Sequence, residues 1–314
     1  MNNPILFLIR KGNQFSCAEN QQQVSDVLAS YYLQYFQNMW DVEGIDHVPD
    51  EIIDMMSPDS LFLIQENQLG MSFTGISLLF SECDRVLKDI IIFYILQKES
   101  DNILEDQIYV SEMISKIMLC INGEHPKCCH IRQFLLKNNK LNVEEERHFN
   151  EIICKRFKKS SIIWNYRHQI IEKLLQETKI DVNQLLNKEN EFIKVLLNKF
   201  PRNYHAWTYK INLIKNLVDN QYKVNLQSEV EWVKTYCQNN VHEYSAFNYL
   251  LLLMKITNFQ FSEDTLLWAQ QLKIRYEDLY IDQNPLSEIN YSQLQSLNKF
   301  ISLLTELEAK QANK

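Results

Sequence analysis

The strongest constraint on this chain is that it echoes itself. Trp164-Asn165-Tyr166-Arg167 is answered 43 residues later by Trp207-Thr208-Tyr209-Lys210, each an aromatic followed two and three residues on by Tyr and a base. Phe149, Ile152, Ile153 and Phe157 precede the first unit, and Phe192, Val195, Leu196 and Phe200 precede the second in the same register. Apolar residues at i, i+3, i+4 and i+8 mark one buried helix face. Each unit therefore reads as a helix, a tight turn of about six residues, and a second helix starting near the Trp. One such pair cannot bury its apolar face alone, so neighbours must stack and share a continuous core.

The frame extends in both directions with weaker identity. Phe247-Asn248-Tyr249 repeats the aromatic-x-Tyr step 40 residues after Trp207, and Tyr291 follows Pro285 at the interval that separates Pro201 from Trp207. Going back 35 residues, Cys129-His130-Ile131-Arg132 keeps only the arginine. Helices are predicted around residues 112–121 and 264–281, and the count reaches about five pairs. Pro126, Pro201 and Pro285 fall at or near the turns, where a fixed φ and a missing N–H end one helix and begin the next. Residues 1–75 lie outside the repeat and read as a cap. They hold an amphipathic helix over residues 20–39, an acidic loop around residues 41–58, and short apolar runs at 5–9 and 61–64. An Ile-rich helix over residues 86–96 then begins the stack, so that residues 76–314 form the repeat domain. The expected architecture is all-α: an α-solenoid, a right-handed superhelix of helix-turn-helix units.

Composition removes competing classes. Five glycines in 314 residues, none after Gly123, disfavour glycine-dependent phosphate-binding folds and turn-rich β-sandwiches or barrels. A formal charge of −8 argues against a protein that tracks nucleic-acid phosphates. Seven scattered cysteines with no leader segment point to a reducing, cytoplasmic setting. No apolar run approaches the roughly 20 residues that span a bilayer, so membrane insertion is not expected.

Pro201-Arg202-Asn203-Tyr204-His205-Ala206-Trp207-Thr208-Tyr209-Lys210 resembles the repeat of protein prenyltransferase α subunits, Pro-basic-Asn-Tyr-x-x-Trp-x-x-Arg, with Lys210 in place of the arginine. The likeness covers roughly residues 60–300. It leans toward the type III geranylgeranyltransferase branch through Leu63-Ile64-Gln65-Glu66-Asn67-Gln68-Leu69-Gly70, the Trp164 unit with His168, and Val241-His242-Glu243-Tyr244-Ser245-Ala246-Phe247. The resemblance implies a heterodimer in which a Rab geranylgeranyltransferase-type β subunit holds zinc and geranylgeranyl diphosphate, while this chain binds neither. A zinc-activated cysteine thiolate of a protein substrate would attack C1 of the isoprenoid with departure of diphosphate. The family's diphosphate-facing lysine corresponds to Arg202, which would stabilise developing negative charge or else bind only the β subunit. Tyr204 and His205 are the next candidates, and Lys159, Asn203, Asn165 and Tyr244 are implied interface positions. Trp164, Trp207 and Phe247 read as core anchors, and Arg167 and Lys210 as bases paired with carboxylates or helix C-termini of the adjacent unit.

Other clusters carry less. His125, Cys128, Cys129 and His130 lack the usual Cys-x₂₋₄-Cys spacing, so no metal site is expected, and Cys129 fills a repeat Trp slot. The acidic stretch at residues 144–146 reads as a solvated face or helix N-terminal charge. The same repeats could also serve a non-catalytic scaffold that holds a protein partner, and the sequence leaves both readings open.

Overall fold

A computed structural model describes residues 44–56, 62–96, 105–176, 180–258, 260, 262–283 and 294–312. The chain forms two compact units, Met1–Thr178 and Lys179–Lys314. The first opens with β1 (Gly44–His47), α1 (Asp50–Met56), β2 (Phe62–Gln65) and β3 (Gln68–Met71). These strands form a small sheet in the order β1-β3-β2, β1 parallel and β2 antiparallel to β3. Glu66 and Asn67, both at positive φ, make the two-residue hairpin turn between β2 and β3. The expected acidic loop is therefore structured over residues 44–56. Ile45 of β1 and Ile53 of α1 are buried while Asp50 accepts the Thr74 N–H at 3.3 Å, so acidic residues sit on elements whose apolar positions are inside. The predicted helix at 20–39, the apolar run at 5–9 and the Pro285/Tyr291 step lie outside the described residues.

The helical stack of the first unit comprises α2 (Phe73–Leu96), α3 (Glu105–Ile121), α4 (Pro126–Lys137), α5 (Val143–Arg156) and α6 (Ser161–Leu175). The helix expected over 86–96 thus begins 13 residues earlier, at Phe73. The second unit comprises α7 (Val182–Lys199), α8 (Tyr204–Asp219), α9 (Leu226–Asn239), α10 (Tyr244–Ile256), α11 (Ser262–Gln283) and α12 (Gln295–Ala312). Among the described residues, α3/α4, α5/α6, α7/α8, α9/α10 and α11/α12 are the helix pairs of an all-α, solenoid architecture. Within each unit successive second helices pack together: α4 on α6, α8 on α10, and α10 on α12.

Local chemistry sets the helix starts. Asn142, Asp181, Asn203 and Asn225 each stand at the N-cap and accept an N–H from the first turn of α5, α7, α8 and α9. Pro126 occupies the first turn of α4, where its missing N–H costs nothing. The turns are shorter than the spacing suggested: four residues, 157–160, 200–203 and 240–243, separate first from second helices. Trp164, Trp207 and Phe247 are then each the fourth residue of their helix, as is Cys129 in α4.

All four are buried, Trp207 to 1% exposure. The Trp207 ring packs against Tyr236 edge-on at 5.2 Å and against Tyr249 at 5.8 Å, and Phe247 meets Phe300 of α12 at 5.3 Å. Burying aromatics of this size supplies the largest side-chain contribution to such a core.

Candidate functional site

Two constellations recur along the stack, one inside it and one at its edge. The inner one joins a carboxylate of a first helix to a phenol of its own second helix. Tyr166 Oη donates to Glu146 Oε1 at 2.8 Å, Tyr209 Oη to Glu189 Oε2 at 2.7 Å, and Tyr249 Oη to Glu229 Oε1 at 2.7 Å, each across 20 residues of sequence. A base from the preceding second helix completes the Glu146 and Glu229 sets. Arg132 Nε donates to Glu146 Oε1 at 2.7 Å and its Nη2 to the other oxygen, while Lys210 Nζ stands 2.8 Å from Glu229 Oε1. Asn190 donates to Glu229 Oε2 at 2.9 Å and accepts from Lys210. Arg167 donates to Asn150 Oδ1 at 3.3 Å within its own pair.

These groups lie in the core: Glu146 is 2% exposed, Glu229 1%, and Arg132, Arg167 and Lys210 at most 1%. Burial, then the neighbouring carboxylate, pushes the Tyr166 and Tyr249 phenols well above their ordinary range. Burial pulls the Lys210 ammonium down against the opposing pull of Glu229. Such a pair gains little over an apolar core, but stranding either partner costs about 3–5 kcal/mol, so each set penalises a slip of one helix pair past the next. The expectation of a solvated Glu146 is corrected here: it is the buried partner of Arg132 and Tyr166.

The outer constellation lies at the mouths of the second helices, where the turns are laced by hydrogen bonds. In the first unit Ser160 Oγ donates to the Gly123 carbonyl at 3.1 Å. In the second, the Arg202 N–H donates to Glu243 Oε2 at 2.7 Å, and Ser296 Oγ donates to the His242 carbonyl at 3.3 Å. Arg202 has φ +63°, a left-handed conformation that costs a non-glycine residue about 1–2 kcal/mol. Its guanidinium is exposed and makes no ion pair among the described residues.

Tyr204 is 60% exposed and its ring lies 4.0 Å from that of His205. Tyr244, at the equivalent place on α10, is 41% exposed with Lys299 Nζ 4.8 Å over its ring. Hydrogen bonds from Lys299 and Asn248 draw the Tyr244 phenol below its usual range. The structure thus brings Arg202, Tyr204, His205 and Tyr244 to one edge of the second unit. Asn203 is instead turned inward, 5% exposed, with its amide oxygen spent on the Ala206 N–H. In the first unit Lys159 and Asn165 are exposed at the start of α6. At the mouth of α4, His125 Nδ1 accepts the Cys128 N–H, and burial pushes the Cys129 thiol up to about 12. Among the described residues no three His, Cys, Asp or Glu side chains converge on a point that could hold a metal ion. None of the described helices is long and apolar enough to cross a membrane.

A family model for the protein prenyltransferase alpha subunit repeat matches residues 186–217, which contain Glu189, Asn190, the Arg202 turn and the Trp207-Thr208-Tyr209-Lys210 run. The chain carries that repeat. Protein prenyltransferase alpha subunit repeat-containing protein 1 of Homo sapiens is 24% identical over 153 residues, 44% of this chain and 38% of the human protein. Its Danio rerio counterpart is 22% identical over 158 residues, 45% of this chain and 37% of that protein. Geranylgeranyl transferase type-2 subunit alpha of Saccharomyces cerevisiae is 30% identical over 87 residues, 28% of this chain and 25% of that subunit. These matches span well under half the length of each relative.

The prenyltransferase repeat gives the two constellations different meanings. Its aromatic, tyrosine and basic positions are internal, building the core and the Glu-Tyr-base sets. Of the Pro201-Arg202-Asn203-Tyr204 stretch, Pro201, Arg202 and Tyr204 are presented at the surface and Asn203 caps the helix from inside. Glu146, Glu189, Glu229, Asn150 and Asn190, absent from the sequence-based list, are the residues that bind one repeat to the next or to its own second helix. Their signal was available, because the three glutamates recur at the same 43- and 40-residue displacements as the aromatics.

Proposed function

We propose that this chain is the non-zinc, α-type subunit of a heterodimeric protein geranylgeranyltransferase of the type III kind, inactive alone, working in the cytoplasm beside a Rab geranylgeranyltransferase-type β subunit. The observation that carries the proposal is the second-unit edge: an exposed Arg202, with no ion pair among the described residues, flanked by Tyr204 and His205 in the stretch that matches the prenyltransferase repeat. Zinc and geranylgeranyl diphosphate belong to the β subunit in this reading. There a substrate cysteine thiolate forms the C–S bond at C1 as the C–O bond to diphosphate breaks. This chain supplies contact surface through Tyr204, Tyr244 and the exposed Lys159 and Asn165. It also supplies a guanidinium at Arg202, which can reach the departing diphosphate with paired N–H donors.

The test is reconstitution. The purified chain is mixed with the β subunit, zinc, labelled geranylgeranyl diphosphate and a protein carrying a prenylatable cysteine. Transfer that requires both chains supports the proposal. A stable complex without transfer, under conditions where a known α subunit gives transfer, assigns the chain to a scaffold that holds a partner without catalysis.

A further inference from the structure

We infer that Glu243 is a positioning residue for Arg202, holding the Pro201-Arg202 turn in the conformation that presents the arginine outward; its functional sense rests on the proposed role of that edge. Glu243 stands at the N-cap of α10, the place held by Ser160 on α6 and Asn203 on α8. Glutamate is not a favoured cap residue. It makes no cap bond, and its carboxylate, 6% exposed, reaches the preceding mouth to accept the Arg202 N–H at 2.7 Å.

Comparison with the turn before α6 shows what that bond does. There Lys159, at the place of Arg202, keeps a negative φ, and Trp164 Nε1 donates to the Lys158 carbonyl at 2.9 Å. The corresponding carbonyl for Trp207 is that of Pro201, but Trp207 Nε1 is buried with no hydrogen-bond partner among the described residues. The two facts share one cause. Pro201 C=O and Arg202 N–H belong to the same planar peptide and point in opposite directions. Aiming the N–H at Glu243 carries the carbonyl away from where Lys158's lies, and it requires the positive φ seen at Arg202. Without Glu243 the peptide is free to turn over, Pro201 accepts from Trp207 as Lys158 does from Trp164, and the Arg202 side chain leaves the edge.

The experiment uses the full chain with ¹⁵N-labelled tryptophan, the Trp207 indole signal being assigned through Trp207→Phe. Glu243→Ala moves that N–H signal downfield as the indole acquires an acceptor. Glu243→Gln, whose amide oxygen still accepts, leaves it in place. Glu243→Asp keeps the charge and caps a helix well but is one methylene short, so it gives the alanine result in a chain that folds. In binding to the β subunit, Glu243→Ala and Glu243→Asp weaken affinity on the order of tenfold and Glu243→Gln does not. An indole signal unmoved in Glu243→Asp, or one moved equally in Glu243→Gln, overturns the inference. If the parent chain binds no β subunit, the proposed function fails, and the indole signal still decides the role of Glu243.

Discussion

Removing one buried carboxylate gives the sharpest test of what holds the repeats in register. Glu229 takes a hydrogen bond from Tyr249, one from Asn190 and the ammonium of Lys210 at 2.8 Å, with Lys210 wholly buried. In Glu229→Ala the lysine keeps the oxygen of Asn190 but loses its nearest counter-charge, with only Glu189 left to act on it, and the Tyr249 hydroxyl loses its acceptor. Breaking a buried pair from one side costs about 3–5 kcal/mol. The cavity left by the shorter side chain adds to that. Urea unfolding of the full chain, followed by tryptophan fluorescence, should show a loss in that range, with the melt lowered by roughly 10 °C.

The control separates charge from packing. Lys210→Met with Glu229→Gln keeps the acceptor for Tyr249 and replaces the ammonium with an apolar chain of similar length, so it should fall within about 1–2 kcal/mol of the parent. A Glu229→Ala loss below about 1 kcal/mol, or a double variant as unstable as the single, would refute the view that this set is a coupled buried pair.

Three further outcomes follow from other parts of the structure. Gly123→Ala places a Cβ 2.4 Å from the Phe157 ring, in the turn whose carbonyl receives Ser160, and should cost about 1–3 kcal/mol in urea unfolding. The Tyr249 phenol titrates higher in the folded chain than unfolded, so its contribution is intact below about pH 10 and is lost as pH rises through the folded value. Stability measured from pH 9 to 11 should therefore decline less steeply in Tyr249→Phe, by up to about 1.4 kcal/mol per pH unit, and parallel pH profiles would contradict this. Arg202→Ala should lower prenyl-transfer turnover more than it weakens complex formation, whereas equal losses assign Arg202 to the contact surface.

Much of the helical architecture was legible because the aromatic anchors are large, few and regularly spaced. Trp164, Trp207, Phe247 and even Cys129 all fall on the fourth residue of a second helix, so a repeat read from side chains located real helix starts. What escaped was polar and buried. A glutamate beside other glutamates, like Glu146, reads as surface until its partner is known, and that partner, Tyr166, lies 20 residues away across a turn.

The first repeat shows the same logic by its losses. Ser111 and Ser115 stand where the next pair has Glu146 and Asn150, and Ile131 stands where it has Tyr166, so phenol and carboxylate are lost together. Arg132 remains because Glu146 still receives it. The small sheet escaped for a different reason: strands of four residues, one with the pattern Gly-Ile-Asp-His, are too short for alternation to stand out. At the candidate site the Pro-Arg-Asn-Tyr motif was visible, but the positive φ of Arg202 and its tie to Glu243, 41 residues on, belong to tertiary structure.

The most direct measurement of the central claim is the mass of the species formed when this chain and a Rab geranylgeranyltransferase-type β subunit are mixed and passed through size exclusion with light scattering. The account predicts one peak at the summed mass of one copy of each, diminished in Tyr204→Ala. Two separate peaks at the masses of the free chains, across micromolar concentrations, would contradict it.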